Sequence, residues 1–123
     1  MVIHDLRVHA VGGWAVVLDT QMKNHKQFGD MRVGTIVDCL APPDDAATVV
    51  RAATRTLEKR GVDLIVSNQL HAAWCAGLAG AGFRRGPSNF LFALAPALAA
   101  LLEDAEDGDI HINRGDGDGP IHL

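Results

Sequence analysis

The chain has 123 residues, is 48% hydrophobic, and sets Lys+Arg 11 against Asp+Glu 15 for a net charge of −4. That length and apolar content suit a single domain, residues 1–123, with a core of its own. The acidic balance, with no Lys/Arg-rich stripe, excludes nucleic acid as an expected partner. Cys39 and Cys75 stand alone in apolar surroundings, without CxxC or Cys/His ligand spacing. They read as two buried thiols rather than a disulfide or a zinc site, which suits a reducing cytoplasm.

The opening residues, "MVIHDLRVHA", are interrupted by His4, Asp5, Arg7 and His9, so they cannot form the apolar centre of a signal peptide. They place Val2, Leu6, Val8 and Ala10 on one parity, the period-two signature of a half-buried strand. Gly12-Gly13 breaks it. "WAVVLDTQM" has the β-branched and aromatic content of a second strand and "RVGTIVDCLA" that of a third, joined by the polar loop "KNHKQFGD". A three-stranded antiparallel meander is expected.

Pro42-Pro43 ends the third strand, and Asp44 is placed to cap a helix by accepting its free N–H groups. Ala46, Val49, Val50, Ala53 and Leu57 then form one apolar stripe, and Gly61 is the expected stop. "VDLIVS" reads as a strand running parallel to the third after this crossover helix. A second helix, "HAAWCAGLAGAG", is expected to bury Ala72, Cys75, Leu78 and Ala79, with Gly77 and Gly80 weakening it. "SNFLFALA" follows as a strand, "PALAALLED" as a short helix opened by Pro96, and "DIHIN" as a last strand. The most apolar run, "FLFALAPALAALL", falls short of the roughly 20 residues of a membrane span and contains Pro96. The expected fold is an α/β, α+β-type mixed sheet in the order β-β-β-α-β-α-β-β, with a short helix inside the last strand pair.

This order, with "HAAWCAGLAGAGF" leading into a strand, resembles the GNAT acyl-CoA N-acyltransferase superfamily over roughly Gly13 to Asn113. Gly82-Phe83 after the second helix is its sharpest piece. The resemblance implies acetyl-CoA or another acyl-CoA as cofactor, held at the start of the first helix by the backbone of Leu40, Ala46 and Ala47. It also implies Asp38, on the strand before, as the general base. Three departures bear on this. The family's glycine-rich pyrophosphate turn is replaced by Pro42-Pro43-Asp44-Asp45, in which proline lacks an N–H and two carboxylates repel a polyanion. The position of the family's frequent proton-donating tyrosine falls at Leu78, and the chain has Tyr 0. Only "MVIHDLRVHA" precedes Gly12-Gly13, so the family's N-terminal strand and helices are missing.

These departures imply a GNAT-like domain with impaired or absent coenzyme A binding, paired as a homodimer or with a second domain. The alternative is a non-catalytic association or scaffold module, or a small-molecule-binding module. For the last, Asn68, Gln69 and His71 form a polar cluster at the carboxyl end of a strand, where open α/β sheets bind ligands. The same residues also suit a helix-capping segment, and Asp38 also suits an ordinary strand-end polar group. His4, His9, His111 and His122 alternate with apolar residues and match no metal-ligand spacing, so no metal is expected. The tail "RGDGDGP" runs out of chain before completing a calcium loop and reads as a glycine-rich turn.

Overall fold

The computed structural model describes residues 2–10, 12–87, 94–104 and 110–113. Three nine-residue strands, β1 (Val2–Ala10), β2 (Gly13–Gln21) and β3 (Arg32–Leu40), form the expected antiparallel meander. A single 3₁₀ turn, Pro43–Asp45, leads into α1 (Ala46–Lys59), and β4 (Leu64–Ser67) then adds parallel to β3. The sheet order is β1-β2-β3-β4. Two helices follow, α2 (Ala72–Gly80) and α3 (Pro96–Leu101).

The stripe expected on α1 is the buried stripe: Ala46, Val49, Val50, Ala53 and Leu57 are all in the core, joined by Thr54, whose hydroxyl donates to the Val50 carbonyl at 2.8 Å. That face packs on Leu6, Val8, Ala15, Val17, Ile36 and Cys39, the residues of three strands that point to one side of the sheet. Register confirms the sidedness, since Leu6 pairs with Val17, Val8 with Ala15, and Ala15 with Cys39. Burying these side chains supplies the main driving force for docking α1 on the meander.

Two corrections concern local chemistry. Asp44 does not cap α1: the chain enters through the 3₁₀ turn, Asp44 is exposed, and the residue before the helix, Asp45, makes no side-chain capping bond. The turn itself supplies the closure, with the Asp45 N–H donating to the Pro42 carbonyl at 2.9 Å. The second correction concerns α2, which buries Trp74 and Gly77 while Ala72, Cys75 and Ala79 are exposed. The glycine expected to weaken the helix is its contact point, because α2 packs closely against α1 there.

The larger correction is to the closing part of the fold, which among the described residues has α2 and α3 as its last elements rather than two strands. The strand expected at "SNFLFALA" falls largely on residues 88–93, outside the described residues, and Leu94-Ala95 simply lead into α3. For "DIHIN", Ile110–Asn113 makes one isolated bridge, Gln69 to Asn113, and one further bond from the Leu70 N–H to the Ile112 carbonyl at 3.3 Å. Alternating apolar residues need a partner edge to become a ladder. Here β4 is only four residues long, and the chain turns away into α2 before such an edge can extend. Arg114 and the Gly/Asp-rich tail also lie outside the described residues.

Candidate functional site

The carboxyl end of β3 is shaped by a bulge. Val16 pairs with Asp38 while Val17 pairs with Ile36, which leaves Val37 as an extra residue on β3. A regular strand would put Ile36 and Asp38 on the same face. The extra residue resets the alternation, so Ile36 and Cys39 both reach the core and Asp38 is turned to the other side, beside Val16.

Asp38 then opens onto a cleft of about 320 Å³ lined by Trp14, Asp38, Cys39, Leu40, His111 and Asn113. Trp14 and Leu40 are cross-strand partners, and Leu40 is 53% exposed. Across from them, the amide of Asn113 donates from Nδ2 to Asp38 Oδ1 at 3.0 Å. Asn113 is only 7% exposed, so this bond fixes a carboxylate and an amide together at the edge of the interior. The ring of His111 lies flat on buried Trp74, with centroids 5.5 Å apart and planes at 13°, and its Nε2 is buried with no hydrogen-bond partner among the described residues.

The polar cluster after β4 sits next to this cleft and is engaged in holding it. Gln69 accepts from the Cys39 thiol through Oε1 at 3.4 Å and donates from Nε2 to Ser67 Oγ at 3.1 Å. Ser67 in turn donates to the Ile36 carbonyl at 3.2 Å, so the chain of bonds runs back to the bulge. His71 caps α2, its Nδ1 accepting the Ala73 N–H at 3.0 Å, and its ring meets the edge of His111 with centroids 6.1 Å apart. Asn68 is half-buried beside them. Asp38 and Gln69 are thus linked through Asn113, which bonds the first and bridges the second.

The residues to which the resemblance assigned a coenzyme lie differently. Ala46 is fully buried, and the backbone of Ala47 faces Gly77 of α2. Leu40 alone of the three lines the cleft. Cys75, expected to be buried, is exposed at the surface of α2, with only long contacts from its thiol to the carbonyls of Gln69 (3.5 Å) and Leu70 (3.9 Å). Among the described residues, no group of three or more His, Cys, Asp or Glu side chains is arranged to hold a metal ion.

Trp14, His111 and Asn113 do not stand out as site residues in the sequence. A weak signal exists: His111 and Asn113 share a parity in "DIHIN", and Trp14 directly follows the Gly12-Gly13 break. A second polar cluster is equally silent in the sequence. Asp19, 1% exposed, receives a two-pronged bond from Arg32 at 2.8 and 2.7 Å and a third from Arg60 Nε at 2.5 Å. The Arg32 guanidinium holds the Asp19 carboxyl down at about 2, against the opposing effect of burial and with help from Arg60.

No family model, no curated protein and no solved structure matches the chain. Of the acyltransferase resemblance, only the mixed α/β character stands. No match supports a GNAT, acetyltransferase or coenzyme A identity, and the observed element order departs from that family's closing strand pair. No helix among the described residues is long and apolar enough to cross a membrane.

Proposed function

We propose that the chain is a small-molecule-binding module whose recognition site is the cleft at the carboxyl end of β3. The observation that carries this reading is the convergence of the Asp38–Asn113 pair and His111 on one cleft beside the partly exposed face formed by Trp14 and Leu40. Fixed polar groups beside the side chains of Trp14 and Leu40 offer a ligand both orientation and contact area, two requirements of a binding site. The polar groups are held by the fold itself, Asp38 by the bulge and Asn113 by its bridge to Gln69. Recognition there needs little reordering, which favours binding.

The charge of the lining narrows the ligand. Among the described residues it includes one carboxylate and neither lysine nor arginine, a balance that favours a neutral or cationic molecule over a polyanion. A fragment screen by two-dimensional amide and indole NMR tests the reading. Ligands are expected to shift the Trp14 indole and the amides of residues 38–40 together, and Asp38→Ala and Asn113→Ala should abolish the shifts. Hits that map elsewhere, or that bind Asp38→Ala as well as the parent chain, would sink it.

A further inference from the structure

Asp38 enters the cleft with half of its carboxylate unengaged. Among the described residues its side chain makes one bond, from Asn113 Nδ2 to Oδ1 at 3.0 Å, and no ion pair, so Oδ2 keeps its accepting capacity. Trp14 stands beside it on the same face of the sheet, because Val16 pairs with Asp38 and Trp14 with Leu40, and these pairs are successive on that face. Diagonal neighbours of this kind have Cβ atoms roughly 7 Å apart, within reach of an aromatic side chain. The Trp14 indole stacks on no other ring among the described residues, whereas the ring of Trp74 is covered by His111.

We propose that the ligand of this cleft is a small protonated amine with an apolar body, an inference that rests on the cleft being a ligand site. An ammonium N–H can donate to Asp38 Oδ2 in a charge-assisted bond while its charge lies within about 6 Å of the indole, whose quadrupole attracts cations. Among the described residues the lining holds no lysine or arginine to compete for that oxygen. The bond from Asn113 sharpens the choice among cations. A guanidinium binds a carboxylate best through both oxygens at once, and Oδ1 already accepts the Asn113 amide. A quaternary ammonium has no N–H to give. A primary or secondary ammonium needs only one oxygen, which is what Asp38 presents. Size and lining set the rest of the molecule: about 320 Å³ is at the lower end of ligand clefts, and Leu40, 53% exposed, adds apolar surface beside Trp14.

NMR titration of the whole chain with three compounds of one shape, phenethylamine, phenethyl alcohol and phenethylguanidine, tests the proposal through the Trp14 indole and the amides of residues 38–40. The amine is expected to shift these signals and to bind about tenfold or more tighter than the alcohol, with the guanidine weaker than the amine. In Asp38→Asn, which keeps an oxygen for Asn113 and whose folding circular dichroism confirms, the preference for amine over alcohol should vanish. Trp14→Leu provides a second readout that leaves the carboxylate alone: it should narrow the same preference by about threefold. Equal binding of amine and alcohol at residues 38–40, a guanidine bound more tightly than the amine, or a preference that survives Asp38→Asn would each overturn the amine while leaving the cleft as a ligand site. No shift at those residues with any of the three compounds would overturn both.

Discussion

Gly77 of α2 lies directly on the backbone of Ala47 in the first turn of α1. A Cβ added to Gly77 would stand 3.0 Å from the Ala47 Cα and 3.3 Å from its amide nitrogen, with the Val50 side chain at 3.5 Å. Both near atoms are backbone in a helix, so neither can swing aside. Gly77→Ala should therefore destabilise the fold by about 1–3 kcal/mol, despite the gain in helix propensity that alanine brings. Urea denaturation checks this: a midpoint unchanged or raised in Gly77→Ala would show that the two helices are not in close contact.

The same contact bears on coenzyme binding. A pyrophosphate docks at a helix start by taking hydrogen bonds from bare N–H groups aided by the helix dipole. Here the turn before α1 contains Pro43, Asp44 and Asp45, Ala46 is buried, and α2 covers Ala47. Calorimetric titration with acetyl-CoA is expected to give no saturable heat in the micromolar range. A low-micromolar constant would refute the expectation, and protection of the Ala46 and Ala47 amides by the coenzyme would locate the error at this turn.

Asp19 gives a pH dependence with a definite sign. Its carboxyl is held at about 2, below the 3.8 of an unperturbed aspartate, first by the Arg32 bonds. The charged form is thus bound more strongly in the folded chain. The contribution is fully present above about pH 4, and it is lost as the pH falls through about 2. Its size is on the order of 2 kcal/mol. In Asp19→Asn, stability at neutral pH should drop by at least that much, because the two arginines lose a buried partner. The gap between variant and parent should then narrow between pH 4 and 2. A constant gap across that window would remove Asp19 from the acid response.

The meander, α1 and the parallel β4 can be read from residues because their signals are local. Period-two alternation, the Ala46-to-Leu57 stripe and the Pro42-Pro43 break each depend on a few neighbours in sequence. The site is not local in this sense. Asp38 reaches the cleft only because one extra residue, Val37, interrupts the ladder opposite Val16 and Val17, and nothing in "TIVDCL" announces a bulge. Asn113 and His111 come to Asp38 and Trp74 from the far end of the chain. The alternation of "DIHIN" reads as a strand, but β4 offers no extended edge for it, and His111 and Asn113 line a cleft instead. The burial of α2 through Gly77 is hidden for a related reason: hydrophobicity marks large apolar side chains, whereas a close helix crossing selects for the absence of one.

The turn between β1 and β2 gives a prediction in which two costs can be separated. Gly12 sits at φ 85°, a conformation that L-residues adopt only with strain, and its Cα faces the carboxylate of Asp45 so closely that an added Cβ would collide with it. Gly12→Ala should therefore cost the backbone strain, about 1–2 kcal/mol, together with the displacement of Asp45 from the turn that leads into α1. Asp45→Ala alone removes no capping bond, since the Asp45 side chain makes none, and should change stability by under about 0.5 kcal/mol. In the double variant, the steric part disappears while the strain remains. Gly12→Ala in the Asp45→Ala background should thus cost less than it does in the parent, leaving a coupling of about 0.5 kcal/mol or more. Strict additivity of the two substitutions in chemical denaturation would mean that the carboxylate does not rest against Gly12, and that the turn entering α1 is fixed by Pro42 and Pro43 without help from β1.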